Sequence, residues 1–549
     1  MIDLTLFGLS GILLSLKATS LANFFALLIA FSMFMLAPLA YMYRPNKTFY
    51  ALFLLLCASL FLIVYANDYL LFFIGWEIMS ISTYFLLSFT LTKEALLKYI
   101  IFAMASALSI LVAILILYSA KGSFLYANAS SSFEALSGPE GVAFTLLMLF
   151  GIFVKLGVIG FHYWLVDAYE QSHHLLSAFL SAVLSKMGVY ALIILSTQVL
   201  ELSLILAIMG VLTSIIATFK AIQEESLKRL LAYSSIAQLG YIVTVLGVSD
   251  ALGGALYHSL IHTAVKLLLF INIAGIIFIT GKDKLSDLGA LIYKTPQSFV
   301  LLLIGIITLA GMPPLGGFAS KFMIYTSLLD AKYLLILSAV MFSSASAFLY
   351  VYKLIYGIYL GHPSHKKLET IQEVPLAFLL PQYVLAFILI LLGAFPALVV
   401  PSLNTILQEL GFKTIVFHEY TTLVSGFAQY NGFVIMSAFV GIFIVVLLLF
   451  ASLRSRTKEA KDRFDVAYCG EEPTEATHLH YAFSIGKELQ RVAFVAVILR
   501  NSSKYFYEYL AAQMTAFSEI FRKIYSGNLV NSFSIAFSFV LLLLWWGLQ

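Results

Sequence analysis

The sequence has 549 residues, of which 61% are hydrophobic and 11% are charged, and its mean hydropathy is +0.98. Soluble proteins carry about 25% charged residues, so this composition predicts an all-α membrane protein that crosses the bilayer many times. The only two cysteines, Cys57 and Cys469, exclude a cysteine-ligated iron–sulfur cluster or a four-cysteine zinc site within the chain. Nucleotide-binding and zinc-protease motifs are also absent, so we expect no cofactor and no metal in this chain.

Apolar runs predict about fourteen transmembrane helices. A shorter apolar segment, residues 4–16, precedes them, and we interpret it as a re-entrant or hairpin segment because Gly8 and Gly11 weaken a helix there. The predicted helices lie near residues 20–42, 48–66, 68–91, 94–118, 140–165, 172–198, 203–219, 227–248, 251–280, 297–330 (broken), 333–360, 376–400, 430–452 and 529–548.

Basic residues alternate between the two sides of this predicted topology. Most of the 32 lysine and arginine residues fall in loops on one side, whereas the loops of the other side hold only Lys17, Lys121, Lys332 and Lys413. Cytoplasmic loops carry the excess of lysine and arginine in membrane proteins. The pattern therefore places the basic loops in the cytoplasm and both ends of the chain outside.

Residues 474–526 differ from the rest of the sequence. Charged residues interrupt Phe, Tyr, Leu and Val at intervals, which makes the segment too polar to cross a bilayer and too apolar to float free. We predict a lateral amphipathic helix on the cytoplasmic face, followed by an anchoring helix at residues 529–549. The alternative is an ordinary cytoplasmic domain, but no strand or turn pattern supports it.

Two lysines lie deep within apolar runs. Lys155 and Lys186 are each about thirteen residues from the start of a predicted helix, which places both near the middle of the bilayer. A buried ammonium group is costly there unless it has a partner or a wet cavity. The stretch from Gly157 to Trp164 between them has the composition of a helix break. This combination indicates ion movement, since the alternative, snorkelling, requires a nearby interface.

A carboxylate and a second group of titratable residues extend this series. Glu77 lies in the middle of its predicted helix, where opposite Lys155 the two groups could titrate as a coupled pair. His258, His262 and Lys266 are spaced four residues apart, which puts all three on one helix face. A single buried histidine is more often a satisfied contact between helices, but three titratable groups on one stripe favour a proton relay.

Lys321 follows the break in the tenth predicted helix, at Ala310–Gly317. Prolines and glycines that interrupt a spanning helix mark places where the backbone lines a cavity. Lys353, in contrast, is near a predicted cytoplasmic helix end, and we interpret it as a snorkelling lysine.

The fifth and tenth predicted helices both combine a lysine with a break. Because five is an odd number, successive five-helix units would insert with opposite topology, as in many transporters. We predict two inverted repeats with broken helices, residues 48–198 and 203–360. Residues 1–47 would form the N-terminal segment and first helix, and residues 376–452 two further transmembrane helices.

Five motifs carry a family resemblance: YLLFFIGWEIMSISTYFLLSF, FVKLGVIGFHYWLVDAY, SLKRLLAYSSIAQLGY, YHSLIHTAVKLLLF and LAGMPPLGGFASKFMIY. In this order and spacing, the chain resembles the antiporter-like subunits of respiratory complex I, which also occur in Mrp cation/proton antiporters and membrane-bound hydrogenases. The resemblance implies that Glu77 and Lys155 form the family's pair and that Lys186 connects it onward. It also implies that His258, His262 and Lys266 are the central relay and Lys321 the terminal charge.

The resemblance implies a proton- or sodium-translocating subunit, without a redox centre of its own, in a multisubunit redox-driven complex of the membrane-bound hydrogenase or complex I type. Expected partners are other membrane subunits, including further antiporter-like ones, peripheral subunits with iron–sulfur clusters, and lipid, but no nucleic acid. The expected location is a prokaryotic plasma membrane. The alternatives are a subunit of a gradient-driven Mrp-type Na+/H+ antiporter and a structural anchor with an inactive channel.

The sequence also departs from the family pattern. Family members usually begin with two further helices, and without them one flank of the first repeat would be exposed or covered by another subunit. Val166 and Tyr169 replace the family's proline and second histidine, although His162 and Trp164 are retained. The segment 468–471, Tyr-Cys-Gly-Glu, resembles the hydrogenase and formate-hydrogenlyase branch.

Overall fold

The computed structural model describes residues 3–9, 12–199, 204–248, 251–360, 371–426, 428–454, 491–492, 495–496 and 502–524. Within these residues, twelve helices are long and apolar enough to cross a membrane. The prediction of a helical, multi-pass membrane protein is therefore confirmed, although short strands accompany the helices. The last predicted helix, at 529–548, lies outside the described residues, so the exact number of fourteen stays a prediction.

The chain divides into two units, residues 1–498 and residues 499–549. The strands of the first unit are β1 (Asp3–Leu9), β2 (Ile12–Lys17), β3 (Val416–His418), β4 (Thr422–Val424) and β5 (Gln429–Asn431). Its helices are α1 (Ser20–Tyr43), α2 (Lys47–Tyr65), α3 (Tyr69–Leu87), α4 (Lys93–Lys121), α5 (Ala129–Glu134), α6 (Gly138–Leu156), α7 (Tyr163–Gln171), α8 (His174–Phe179), α9 (Ser185–Gln198), α10 (Leu204–Gln223), α11 (Leu227–Leu246), α12 (Leu252–Thr280), α13 (Pro296–Ala310), α14 (Gly316–Asp330), α15 (Leu334–Tyr359), α16 (Leu376–Ala394), α17 (Val400–Glu409) and α18 (Gly432–Arg454).

The second unit is described by one helix, α19 (Ser502–Ile524). It covers the C-terminal half of the predicted lateral helix, and most of the remainder of residues 474–526 lies outside the described residues. The placement of this helix along a membrane surface stays a prediction.

The short apolar segment at the start of the chain is a β-hairpin. Strands β1 and β2 pair antiparallel. The buried carboxylate of Asp68 accepts hydrogen bonds from the backbone N–H of Ser15, at 3.0 Å, and of Leu71, at 2.7 Å. The second bond caps the N-terminus of α3. One carboxylate therefore fixes the hairpin to the beginning of the helix that carries Glu77.

Three membrane helices are irregular. The fifth predicted helix, 140–165, ends earlier than predicted, at Leu156, because Gly157 adopts a left-handed conformation (φ 67°), and the chain resumes as α7. The tenth is broken between α13 and α14, as predicted. Between α8 and α9, residues Leu180–Leu184 form a π-helical segment that the sequence did not reveal. The inverted symmetry of the two repeats stays a prediction.

The centre of the first unit is formed by α8–α9, α11 and α12. The spans His174–Gln198 and Leu227–Leu246 are almost entirely buried, and Leu252–Thr280 is mostly so. In contrast, α18 has the highest hydropathy and none of its apolar window is buried. The central helices carry most of the polar membrane residues, since a polar group avoids lipid only inside the protein.

Lys353 corrects one interpretation from the sequence. Its side chain is buried rather than snorkelling. Its ammonium group donates to the carbonyls of Ile222, at 3.0 Å, and Glu224, at 2.9 Å. These carbonyls belong to the C-terminal end of α10, where a cation satisfies orphan acceptors and interacts favourably with the helix dipole.

Helices α10 and α11 are in close backbone contact at two glycines. A Cβ added at Gly240 would lie 2.7 Å from both the Gly210 carbonyl oxygen and the Ser214 backbone nitrogen. Small residues allow such close approach between membrane helices. Neither backbone group can move aside without shifting α10.

We expect Gly240→Ala to destabilise the protein by about 1–3 kcal/mol, because the new methyl group forces the two helices apart. Gly441→Ala in α18 is the matched control, since a Cβ there meets nothing within 4 Å. Thermal unfolding of both purified variants in the same detergent measures the difference. Equal melting temperatures would contradict the close approach of α10 and α11.

Candidate functional site

The seven residues predicted from the sequence lie on five different helices. Glu77 is on α3, Lys155 on α6, Lys186 on α9, and Lys321 on α14, whereas His258, His262 and Lys266 share α12. The six basic residues are at most 4% exposed, and Glu77 is only partly buried. Hydrogen bonds join Lys186 to His262 and link His258 to Lys321 through Gln238 and the Leu309 carbonyl, whereas Glu77 and Lys155 take no part in these bonds.

Lys186 and His262 are in direct contact. The Lys186 ammonium nitrogen lies 2.6 Å from Nδ1 of His262. It also donates to the Ser181 carbonyl at 2.9 Å. Nε2 of His262 is buried and has no partner among the described residues. Nδ1 of His262 therefore hydrogen-bonds to the Lys186 ammonium group, and Nε2 is available to hydrogen-bond a water molecule or to accept a proton.

The π-helical segment provides the acceptors around Lys186. Its wider turn changes the i→i+4 hydrogen-bond pattern, which makes carbonyls available to side chains. The carbonyl of Leu180 accepts from the Tyr169 hydroxyl at 3.0 Å, and that of Ala182 accepts from the Thr263 hydroxyl at 3.0 Å. Tyr169 thus stabilises this segment at a position where the family pattern has a histidine.

Lys266 is held by helix α11. Its ammonium nitrogen donates to the Ser234 hydroxyl at 2.6 Å and to the Leu231 carbonyl at 3.2 Å. The neighbouring Ser235 hydroxyl is 2.8 Å from the hydroxyl of Ser181, whose carbonyl binds Lys186. The hydroxyls of Ser234, Ser235 and Ser181 therefore lie between Lys266 and Lys186.

His258 lies one turn from His262, and their rings stack at 6.2 Å between centroids. Its Nε2 is 3.1 Å from Oε1 of Gln238, and its Nδ1 is 3.0 Å from the hydroxyl of Ser320. Gln238 is itself buried and donates from Nε2 to the Leu309 carbonyl at 3.3 Å. His258 is consequently linked to both halves of the broken tenth helix.

Lys321 binds the end of the first half of that helix. Its ammonium nitrogen donates to the carbonyls of Ala310, at 2.7 Å, and Leu309, at 3.3 Å, and to the Ser344 hydroxyl at 2.7 Å. It also lies over the Tyr241 ring at 5.3 Å. The last carbonyls of α13 have no partner within the helix, so the break creates an acceptor site for a cation.

Lys155 is in the last turn of α6 and lies 5.6 Å from the centroid of the Trp76 ring. It lines a cavity of about 10 Å³, the space of a single water, together with Ser80 and Tyr99. The Trp76 indole nitrogen and the Ser80 hydroxyl are buried without partners in the described part of the chain. These orphan polar atoms indicate a hydrated site.

Glu77 and Lys155 interact electrostatically but do not form a direct ion pair. In the described part of the chain, no hydrogen bond joins Lys155 to Lys186 either. Lys155 therefore interacts with the charge of Glu77 but is the least constrained of the buried lysines among the described residues.

The motif in which Val166 and Tyr169 replace the family's residues lies around α7. The Trp164 indole donates to the Val154 carbonyl at 3.0 Å and so caps α6, whereas Nδ1 of His162 is buried without a partner in the described residues. Asp167 forms ion pairs with Lys98, at 3.1 Å, and Arg229, at 3.2 Å.

Four further residues belong to this site but were not predicted from the sequence: Gln238, Ser234, Ser320 and Ser344. A signal was present for two of them: Ser234 and Gln238 are four residues apart in the helical motif SLKRLLAYSSIAQLGY, and both are polar within a spanning helix. Ser320 precedes Lys321 directly. Ser344 lies in a serine-rich stretch of α15 that gives no hint of its partner.

Comparisons with known proteins find relatives among membrane subunits of respiratory complexes and antiporters. The family described as NADH:quinone oxidoreductase/Mrp antiporter, TM, matches residues 66–347, just over half of the chain. NADH-quinone oxidoreductase subunit N of Desulforudis audaxviator (strain MP104C) is 30% identical over 375 residues, which are 64% of this chain and 75% of the relative. One Na(+)/H(+) antiporter subunit of Bacillus subtilis (strain 168) is 27% identical over 400 residues, 66% of this chain and 50% of the relative.

A similar chain is found in the structure of the membrane-bound sulfane sulfur reductase, an archaeal respiratory membrane complex. It superimposes with a TM-score of 0.87 at 28% sequence identity and covers 99% of this chain and 91% of that chain. This likeness extends over the whole fold, whereas the chain spans only half of the antiporter subunit from Bacillus subtilis.

Proposed function

Because the chain belongs to the NADH:quinone oxidoreductase/Mrp antiporter transmembrane family, as an antiporter-like membrane subunit, we propose that it translocates protons or sodium ions within a redox-driven respiratory complex. The observation that carries the proposal is the buried series of basic groups from Lys186 through His262 and His258 to Lys321. Lys186 contacts His262 directly, the rings of His262 and His258 stack, and the Gln238 amide and the Leu309 carbonyl link His258 to Lys321. Such costly groups are retained inside a membrane where they serve an ion path.

In the proposed mechanism, Glu77 controls the charge of Lys155. Two unit charges about 4 Å apart interact by about 4 kcal/mol at an effective dielectric constant of about 20. An ionised Glu77 close to Lys155 would stabilise its ammonium form, and separation of the two would favour release of a proton. The water-sized cavity beside Lys155 is the expected exit from this site.

The proton would then pass to the Lys186–His262 pair. Imidazole is suited to this step because it has a donor and an acceptor nitrogen. From His262 the route continues along the α12 face to His258 and Lys321, and Lys266 adds a positive charge that disfavours a second proton nearby. Release would follow from Lys321.

Partners are proposed on the same basis. Glu77 is only partly buried in the isolated chain, although a carboxylate is costly in lipid. A neighbouring membrane subunit, of the antiporter-like type, would cover it. Electron transfer would take place in peripheral subunits that hold iron–sulfur clusters. We place the complex in a prokaryotic plasma membrane, in contact with lipid, with the lateral helix on the cytoplasmic face.

A second candidate function is gradient-driven Na+/H+ exchange without a redox partner. The match to the Bacillus subtilis antiporter protein over 66% of this chain favours it. The redox-driven complex is the first proposal because the likeness to the archaeal respiratory complex covers nearly all of the chain.

Native purification in mild detergent separates the two candidates. Iron and peripheral redox subunits that co-purify with the chain would support a redox-driven complex, of the hydrogenase, sulfur-reductase or quinone-reductase type. Small membrane partners without iron would support the antiporter and overturn the first proposal.

Lys155→Met tests the mechanism. We expect the rate of ion uptake by sealed vesicles, per assembled complex, to fall by about tenfold or more, because methionine fills the space but cannot carry a proton. Lys353→Met is the matched control: it removes another buried lysine, one that caps a helix. It is expected to lower stability and leave transport per complex unchanged. Full transport by Lys155→Met would refute the mechanism.

Gly311→Ala tests the position of Lys321. Gly311 has a φ of +74°, and an added Cβ would lie within 2.9 Å of the Lys321 ammonium nitrogen. The control is Gly281→Ala, since Gly281 also ends a helix at positive φ (+68°) but has nothing within 4 Å.

Both alanines cost about 1–2 kcal/mol of backbone strain. We expect only Gly311→Ala to reduce ion uptake, because only this variant displaces the ammonium group from the carbonyls of Leu309 and Ala310. Equal uptake by the two variants would show that the position of Lys321 is unimportant.

A further inference from the structure

Gln238 occupies the junction between the histidines and the broken helix. Its side chain is 1% exposed, and both ends of its amide have partners. Oε1 faces Nε2 of His258 at 3.1 Å, and Nε2 donates to the Leu309 carbonyl at 3.3 Å. The same carbonyl accepts from Lys321 at 3.3 Å. One amide therefore separates His258 from the acceptor that holds Lys321.

The surroundings fix the orientation of this amide. The Leu309 carbonyl only accepts hydrogen bonds, so the amide nitrogen of Gln238 must point toward it. The amide oxygen then faces His258, and it too only accepts. Consequently Nε2 of His258 must carry a hydrogen, and any gain or loss of a proton has to occur at Nδ1.

Nδ1 of His258 faces a hydroxyl group that can hydrogen-bond to the imidazole in both its neutral and its protonated form. The Ser320 hydroxyl lies 3.0 Å from Nδ1 and 2.9 Å from the Gly317 carbonyl. When the ring is neutral, the hydroxyl can donate to Nδ1. When the ring is protonated, Nδ1 donates to the hydroxyl, which turns to the Gly317 carbonyl. The change requires only rotation of one hydroxyl.

We propose that Gln238 is a positioning residue that fixes the tautomer of His258 and directs its proton exchange to Nδ1, on the side of Ser320 and the second half of the broken helix. This role rests on the proposed ion translocation and specifies the atom, Nδ1, through which His258 gains and loses its proton. It also explains why a polar amide lies in the middle of α11. A buried amide is stable only when its donors and acceptors are satisfied.

Gln238→Met tests this role, because methionine keeps the approximate shape and removes both hydrogen bonds. The chain offers a matched control in Gln382, which is 0% exposed and likewise joins a side chain of α12 to a backbone carbonyl. Its Oε1 accepts from Asn272 at 2.8 Å, and its Nε2 donates to Phe378 at 3.0 Å. Neither partner is titratable.

Both variants would be made in the complete complex and measured in sealed vesicles, with Lys155→Met as reference. We expect Gln238→Met to lower ion uptake per assembled complex by about tenfold, and Gln382→Met to stay within about twofold of the unchanged protein. Gln238→Glu, whose protonated carboxyl group can make both bonds, is expected to recover uptake to within about threefold.

Full uptake by Gln238→Met, or an equal loss in both methionine variants, would overturn the positioning role. A loss in Gln238→Met that Gln238→Glu does not relieve would overturn it as well. If Lys155→Met also transports at the full rate, it is the proposed function that fails, so the two failures are distinguishable.

Discussion

An ammonium group inside a membrane needs hydrogen-bond acceptors, but a regular α-helix uses its own carbonyls internally. The structure meets this constraint with irregular backbone. The π-helical segment before α9 provides the Ser181 carbonyl for Lys186, and the end of α13 provides those of Leu309 and Ala310 for Lys321. The end of α10 does the same for Lys353. These three lysines therefore bind carbonyls at a helix end or in a π-helical turn, whereas Lys266 binds the Leu231 carbonyl within α11.

Lys155 differs from these lysines. Lys155 also lies at a helix end, but other donors already occupy the carbonyls there. The Trp164 indole donates to the Val154 carbonyl, and the backbone N–H of Gly157 donates to the carbonyls of Phe153 and Val154. No hydrogen-bond acceptor for Lys155 is found among the described residues. Its ammonium group is instead surrounded by the Trp76 ring and the water-sized cavity, and it interacts with the charge of Glu77. In the proposed mechanism, Lys155 is therefore the lysine whose charge would respond most directly to a movement of Glu77.

Hydropathy and spacing predicted much of this arrangement. A lysine in a long apolar run is visible in the sequence, as are three titratable groups four residues apart and the break at 310–317. The π-helical segment was not predictable, because LSAVL has no local signal and the segment depends on contacts from Tyr169 and Thr263. The burial of Lys353 was not predictable for a similar reason. Its distance from the end of its own helix, α15, does not show that the C-terminal end of α10 lies against it.

The break between α13 and α14 and the buried Lys321 depend on each other. A break in lipid would leave carbonyls without donors, and a lysine in lipid would lack acceptors, so either one alone is costly. Together, at Leu309–Ala310 and Lys321, each satisfies the other. A lysine that gives up its proton retains donors but loses the charge that strengthens these bonds. In the proposed mechanism, proton movement through Lys321 would therefore be coupled to the end of α13, and Gln238 links the same Leu309 carbonyl to His258.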